Sequence, residues 1–144
     1  MTARERQTEW LAELMCAYDL PKAITKFRNL HGQLTSLAAI ETGDSRRALV
    51  DLRRELATAM HTLEQVGPPE VAASRLPTAE AVAEEFRQRF AQMRSRIAMH
   101  QTKWPAVLLD QALVEYRASA REMHKSVDDF LAWADALLRK MTYS

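Results

Sequence analysis

Residues 105–141 read PAVLLDQALVEYRASAREMHKSVDDFLAWADALLRKM, and their apolar side chains recur at alternating spacings of three and four. This spacing places them along one side of an α-helix, because a helix completes a turn every 3.6 residues. An apolar seam this long is typical of a bundle helix or a coiled coil. The seam consists of Leu109, Leu113, Tyr116, Ala120, Met123, Val127, Phe130, Ala134, Leu137 and Met141.

Four shorter segments with the same periodicity precede this helix, over about 2–18, 21–40, 45–66 and 78–103. No segment alternates with the period of two that a half-buried strand requires. The run Gly67-Pro68-Pro69 predicts the end of the third helix and an irregular loop over about 67–78, and Trp104-Pro105 predicts a second break. We therefore predict one all-α domain over residues 1–144. Its expected form is an up-and-down bundle of four to five helices around the long C-terminal helix.

Composition narrows the class of protein further. Hydrophobic residues make up 47% of the chain and charged residues 27%, the mixture of a soluble globular protein. No apolar run approaches the roughly 20 residues of a membrane span, so no membrane contact is predicted. The single cysteine, Cys16, and a charged N-terminal stretch without a signal-peptide pattern favour a cytoplasmic location.

Motifs for catalysis and cofactor binding are absent from the sequence. The three glycines, Gly32, Gly43 and Gly67, are too far apart for a phosphate-binding loop. No histidine is preceded by a glutamate three residues earlier, the spacing that helical metal sites use. We therefore expect a non-catalytic protein with no cofactor and no metal.

The pair Arg94 and His100 offers one catalytic alternative. Helical RNases of the HEPN type use an arginine and a histidine on one helix at the spacing that these two residues have. Such a site requires both side chains to be exposed. His100 also falls on the apolar stripe of its helix, where a buried, hydrogen-bonded histidine is the competing interpretation.

The charge pattern of the fourth helix stands out, because no acidic residue occurs between Phe86 and Leu109. The basic residues of this helix flank its apolar seam on both sides. In one interpretation they pair with acids on neighbouring helices, for which Glu9, Glu13, Glu115 and Glu122 are candidates. In the other they face a polyanion such as a nucleic-acid backbone. The candidate nucleic-acid-binding residues are Arg87, Arg89, Arg94, Arg96 and Lys103, with Arg117, Arg121 and Lys125 on the last helix.

The last helix also carries apolar residues beside its seam. Leu131 and Leu138 occupy e positions and Trp133 a g position, which widens the apolar face. Neighbouring helices of the same chain could cover this excess. Alternatively it meets another chain, and tryptophan is enriched at interface hot spots. These three residues form the candidate partner-binding face.

These observations predict a non-catalytic helical subunit or adaptor that acts through protein–protein contacts in a larger assembly. The expected partner is another protein or a second copy of this chain. Contact with a nucleic-acid backbone through the basic helix is a further possibility. The alternatives are a sequence-indifferent RNA- or DNA-binding small subunit of a ribonucleoprotein complex and an RNase of the HEPN type.

Overall fold

The computed structural model describes residues 20–37, 43–105 and 113–143, in which four α-helices follow one another and no strand occurs. The prediction of an all-α protein is confirmed for these residues. The predicted first helix, about 2–18, lies outside the described part. The four helices are α1 (Leu20–Leu37), α2 (Gly43–Ala72), α3 (Ala79–Lys103) and α4 (Leu113–Tyr143).

Each helix packs against the next one along the chain, and α4 also contacts α1. Contacts between neighbours join early residues of one helix to late residues of the other, so adjacent helices run antiparallel. The long C-terminal helix α4 thus lies between α3 and α1 in a four-helix arrangement. The contacts that set these directions are Gly67–Phe86 and Glu64–Arg94 between α2 and α3, Phe90–Phe130 and His100–Ser119 between α3 and α4, and Arg28–Asp135 and Thr35–His124 between α1 and α4.

One continuous apolar core receives side chains from all four helices. The described seam residues of α4 from Tyr116 to Leu137 are buried, as the heptad spacing predicts. At the centre, Phe86 packs edge-to-face on Phe130, with ring centroids 5.6 Å apart. Aromatic pairs in this geometry contribute beyond the area that they bury.

Helix α2 continues through Gly67-Pro68-Pro69 to Ala72, so the predicted end of the third helix at Gly67 is wrong. Two prolines remove two backbone donors and therefore two helical hydrogen bonds. Packing offsets this loss, because the missing side chain of Gly67 lets the Phe86 ring lie directly against the α2 backbone. The added turn also carries Glu70. Its carboxylate accepts a 2.5 Å hydrogen bond from the backbone N–H of Leu20, which lies in the first turn of α1.

The extension of α2 shortens the predicted irregular loop to residues 73–78. The predicted break at Trp104-Pro105 is confirmed, since α3 ends at Lys103. The Trp104 N–H closes that end by donating to the carbonyl of His100 at 2.9 Å. None of the four described helices combines the length and apolar character needed to cross a membrane.

Candidate functional site

The cations of α3 face two different grooves, because seam positions e and g lie on opposite sides of a helix. Arg87 and Arg94 border the groove between α2 and α3. Arg89, Arg96 and Lys103 border the groove between α3 and α4. The acid-free part of α3 therefore does not present one continuous basic surface.

Three of these arginines pair with glutamates. Arg94 donates to Glu64 on α2 at 2.6 Å. Arg87 donates to Glu84 at 3.2 Å, and Arg89 donates to Glu85 at 3.0 Å, both within α3. Pairing with a neighbouring helix thus holds for Arg94, whereas Arg87 and Arg89 pair within α3, and none of the three partners is Glu115 or Glu122. Glu9 and Glu13 lie outside the described residues.

The groove between α3 and α4 contains basic side chains that form no ion pair with a described carboxylate. Arg96, Lys103 and Lys125 are exposed there, and within residues 20–37, 43–105 and 113–143 none of them forms an ion pair. The Lys103 ammonium lies over the Trp104 ring, 5.8 Å from its centroid. Arg117 and Arg121 are exposed on α4 but do not line this groove. The nucleic-acid-binding role of all these cations stays a prediction.

We call the site between these two helices the α3–α4 groove and define it by its charged lining residues. It consists of two adjoining cavities of about 500 and 740 Å³ that share Gln92, Arg96 and Glu122. The two walls differ in charge, because the α3 wall is purely basic and the α4 wall is mixed. The charged residues are Arg89, Arg96 and Lys103 from α3, with Glu122, Lys125 and Asp129 from α4.

Met99 supplies an apolar contact point that the sequence reasoning missed. Met99 is 69% exposed, and among the large apolar residues of α3 it alone is exposed. It lines the larger cavity together with Arg96 and Lys103. The signal in the sequence is the spacing, since Met99 follows Arg96 by three residues and precedes Lys103 by four.

The structure does not assemble the RNase pair Arg94 and His100. His100 is only 6% exposed and lies on the α4 side, whereas Arg94 faces α2 and pairs with Glu64. The His100 Nδ1 atom instead shares a 2.8 Å hydrogen bond with the Ser119 hydroxyl. The prediction of a buried, hydrogen-bonded histidine is therefore confirmed for this residue.

The contact between Ser119 and His100 has the spacing of a nucleophile and its base, but not the electrostatics. Burial and the nearby Arg53 guanidinium lower the pKa of His100 to about 4. A catalytic dyad needs a neighbour that stabilises the imidazolium, which is why such sites place a carboxylate there. Arg53 destabilises that charge, so this pair supports packing and polar satisfaction rather than acyl transfer.

A second histidine contact joins α1 to α4. The rings of His31 and His124 lie edge-to-face with centroids 4.8 Å apart, and Asp128 approaches His31 Nε2 at 3.8 Å. Burial, followed by the neighbouring His124, lowers the pKa of His31 to about 4, although Asp128 opposes the shift. Burial also lowers the pKa of His124. No pattern in the sequence predicts this contact, because 93 positions separate the two histidines.

Arg53 and Tyr116 form a further polar contact inside the bundle. Burial raises the pKa of the Tyr116 phenol, while its hydrogen bond with Arg53 acts in the opposite direction. The same burial lowers the pKa of Arg53. Across the described part of the chain, no group of three or more metal-ligating side chains converges.

The residues of the predicted partner-binding face lie in the core or pack against it. Leu131 is 6% exposed, so the placement of this residue on an outer apolar face is corrected: α4 turns it inward among the core side chains. Trp133 and Leu138 are half-buried against that core. Trp133 packs on Phe86 with centroids 6.0 Å apart, and the Arg89 guanidinium covers its ring at 5.1 Å. Partner binding at Trp133 and Leu138 stays a prediction.

Comparison with known proteins identifies no relative. No family model matches the chain, and neither the curated proteins nor the solved structures contain a match.

Proposed function

We propose that this chain is a non-catalytic adaptor or accessory subunit that binds another protein through the α3–α4 groove. One observation carries the proposal: Arg96 and Lys103 line the larger cavity beside exposed Met99, Lys125 lines the adjoining cavity, and none of these cations forms an ion pair with a described residue. Charged residues that rim an apolar contact are the usual anatomy of a protein interface.

The mixed charge of the groove favours a protein over a nucleic acid as the occupant. A phosphate backbone is uniformly negative, and in this groove it would meet Glu122 and Asp129 on the α4 wall. A protein segment can place acids against the α3 wall and neutral or basic groups against the α4 wall. Three of the predicted phosphate-binding arginines, Arg87, Arg89 and Arg94, are moreover paired with glutamates.

Site-specific photo-crosslinking tests this proposal in cells of the source organism. A photoreactive amino acid at Met99 probes the groove, and the same amino acid at Val50 is the control, because Val50 is an exposed apolar residue on α2. We expect crosslinking at position 99, but not at position 50, to a protein identified by mass spectrometry. That protein must then form a complex of defined stoichiometry with the purified chain.

A matched pair of double variants shows whether the groove cations contribute. Arg96→Glu with Lys103→Glu should abolish the crosslink. Arg47→Glu with Arg54→Glu should preserve it, because these two arginines are exposed on α2 with the same seven-residue separation. Crosslinking to RNA or DNA alone would contradict the proposal in favour of nucleic-acid binding. Crosslinking only to a second copy of this chain, or at neither position, would also contradict it.

A further inference from the structure

We infer that the occupant of the α3–α4 groove is an amphipathic helix of the partner protein, with two carboxylates seven residues apart and an apolar residue between them. The inference rests on the proposed function and adds the chemistry of the bound segment. Its basis is the arrangement of Arg96, Met99 and Lys103 along one wall of the larger cavity.

These three side chains form a stripe on α3. Met99 follows Arg96 by three residues, and Lys103 follows Met99 by four, so all three lie on one face of the helix. Arg96 and Lys103 are two turns apart, roughly 10 Å along the axis. A second helix lying in the groove repeats its own side chains at the same interval. Carboxylates at positions i and i+7, with an apolar residue at i+3 or i+4, therefore match the stripe along its length.

An extended segment does not match the same stripe. A strand advances roughly 3.3 Å per residue, so about three residues span the distance between the two cations. Side chains three residues apart in a strand point to opposite faces, and only one of the two carboxylates would reach α3. A helix places both carboxylates and the apolar residue on one face.

The charges of the α4 wall define the rest of the segment. Glu122 and Asp129 line the groove opposite the basic α3 wall, and neither forms an ion pair with a described residue. With Lys125 between them, these two acids still leave the α4 wall with more negative than positive charges, so a bound helix with acids on both flanks would be repelled there. The expected segment is therefore acidic on the flank facing α3, apolar at its centre, and neutral or basic on the flank facing α4.

Two fluorescein-labelled helical peptides of identical composition provide the direct test with the full-length chain. One has glutamates at i and i+7 around a leucine at i+4, and its isomer has the second glutamate at i+5, on the opposite face. We expect fluorescence anisotropy to show that the first peptide binds at least threefold more tightly. This factor is of the size that one or two exposed ion pairs provide.

Charge reversal in the protein sharpens the test. Arg96→Glu with Lys103→Glu should weaken binding of the first peptide at least tenfold, whereas Arg47→Glu with Arg54→Glu should leave it unchanged. A peptide with lysines at i and i+7 should bind the Arg96→Glu, Lys103→Glu protein more tightly than it binds the unmodified chain. All four positions are exposed, so each variant should keep its helices, which circular dichroism checks.

Several results would overturn the inference. They are equal binding of the two isomers, no binding of either, or tighter binding of a single-stranded oligonucleotide that depends on Arg96 and Lys103. The crosslinking experiment separates this failure from failure of the proposed function. A protein crosslinked at position 99 through a segment without the paired carboxylates contradicts the helical motif alone, whereas the absence of any crosslinked protein contradicts both.

Discussion

At the scale of single residues, Trp133 shows how an apolar side chain beside the seam is covered by residues of the same chain. Its ring contacts Phe86 and Phe130 at centroid distances of 6.0 and 6.3 Å, and Arg89 covers its outer face. We therefore expect Trp133→Ala to lower the free energy of unfolding by about 2–4 kcal/mol, somewhat less than for a fully buried tryptophan. Denaturant unfolding measured by circular dichroism checks this value.

Trp133→Phe is the control for this substitution. It keeps an aromatic ring against Phe86 and Phe130, so it should recover most of the lost stability. Unchanged unfolding of Trp133→Ala together with weakened partner binding would contradict the structural role, and would place Trp133 in an interface instead.

At the scale of helices, two glycines test how packing modifies helix propensity. A Cβ atom at Gly67 would lie 2.5 Å from Cζ of buried Phe86, whereas a Cβ at Gly32 meets nothing within 4 Å. Both glycines lie inside helices, α2 and α1 respectively. Alanine should stabilise a helix by about 1 kcal/mol at the open position. At Gly67 the displaced ring should reverse the sign, with a net loss of about 1–2 kcal/mol.

Thermal unfolding of Gly32→Ala and Gly67→Ala measures this contrast directly. We expect the melting temperature to rise for the first variant and to fall for the second. A rise for both variants would mean that Phe86 moves aside at no cost. In that case the close approach of α3 to α2 would not explain why α2 continues through Pro68 and Pro69.

At the scale of the whole molecule, buried histidines make the stability of the four-helix arrangement depend on pH. The folded pKa values of His31 and His100 are about 4, below the usual 6.5. As the pH falls below 6.5, the unfolded chain takes up protons at these positions and the folded chain does not. Stability is therefore greatest above pH 6.5 and is lost as the pH falls toward 4. We expect a loss of about 2–4 kcal/mol between pH 7 and pH 5.

Urea unfolding at a series of pH values measures this loss. His31→Gln should reduce it by about 1–2 kcal/mol, because one proton-binding difference disappears. The control is His61→Gln, which makes the same substitution at an exposed histidine of α2. A profile that His31→Gln leaves unchanged would show that the burial of His31 beside His124 does not contribute to the pH dependence.

The candidate site was predicted from the sequence only in part. The acid-free run of α3 was visible, and Arg96, Lys103 and Lys125 were among the residues that it pointed to. The partners of Arg87 and Arg89 were not identified, although Glu84 and Glu85 precede them by three and four residues on the same helix. The partner of Arg94 could not be read from the sequence, because it is set by which residue of another helix lies opposite after packing. For Arg94 that partner is Glu64, 30 positions earlier in the chain.

The sequence by itself determined the helices and their buried faces. Apolar spacing of three and four is a local property, so it predicts which side of α4 is buried whatever the neighbours are. The break at Trp104-Pro105 is local for the same reason, since proline acts on its own backbone and on the residue before it.

Only the tertiary structure decided three other features. These are the continuation of α2 through Gly67-Pro68-Pro69, the inward position of Leu131, and the contact of His31 with His124. The first and the third depend on a contact with a second helix: the Phe86 ring of α3 fits against Gly67, and α4 brings His124 to α1. Propensity and spacing describe one helix at a time, whereas the free energy of packing depends on two.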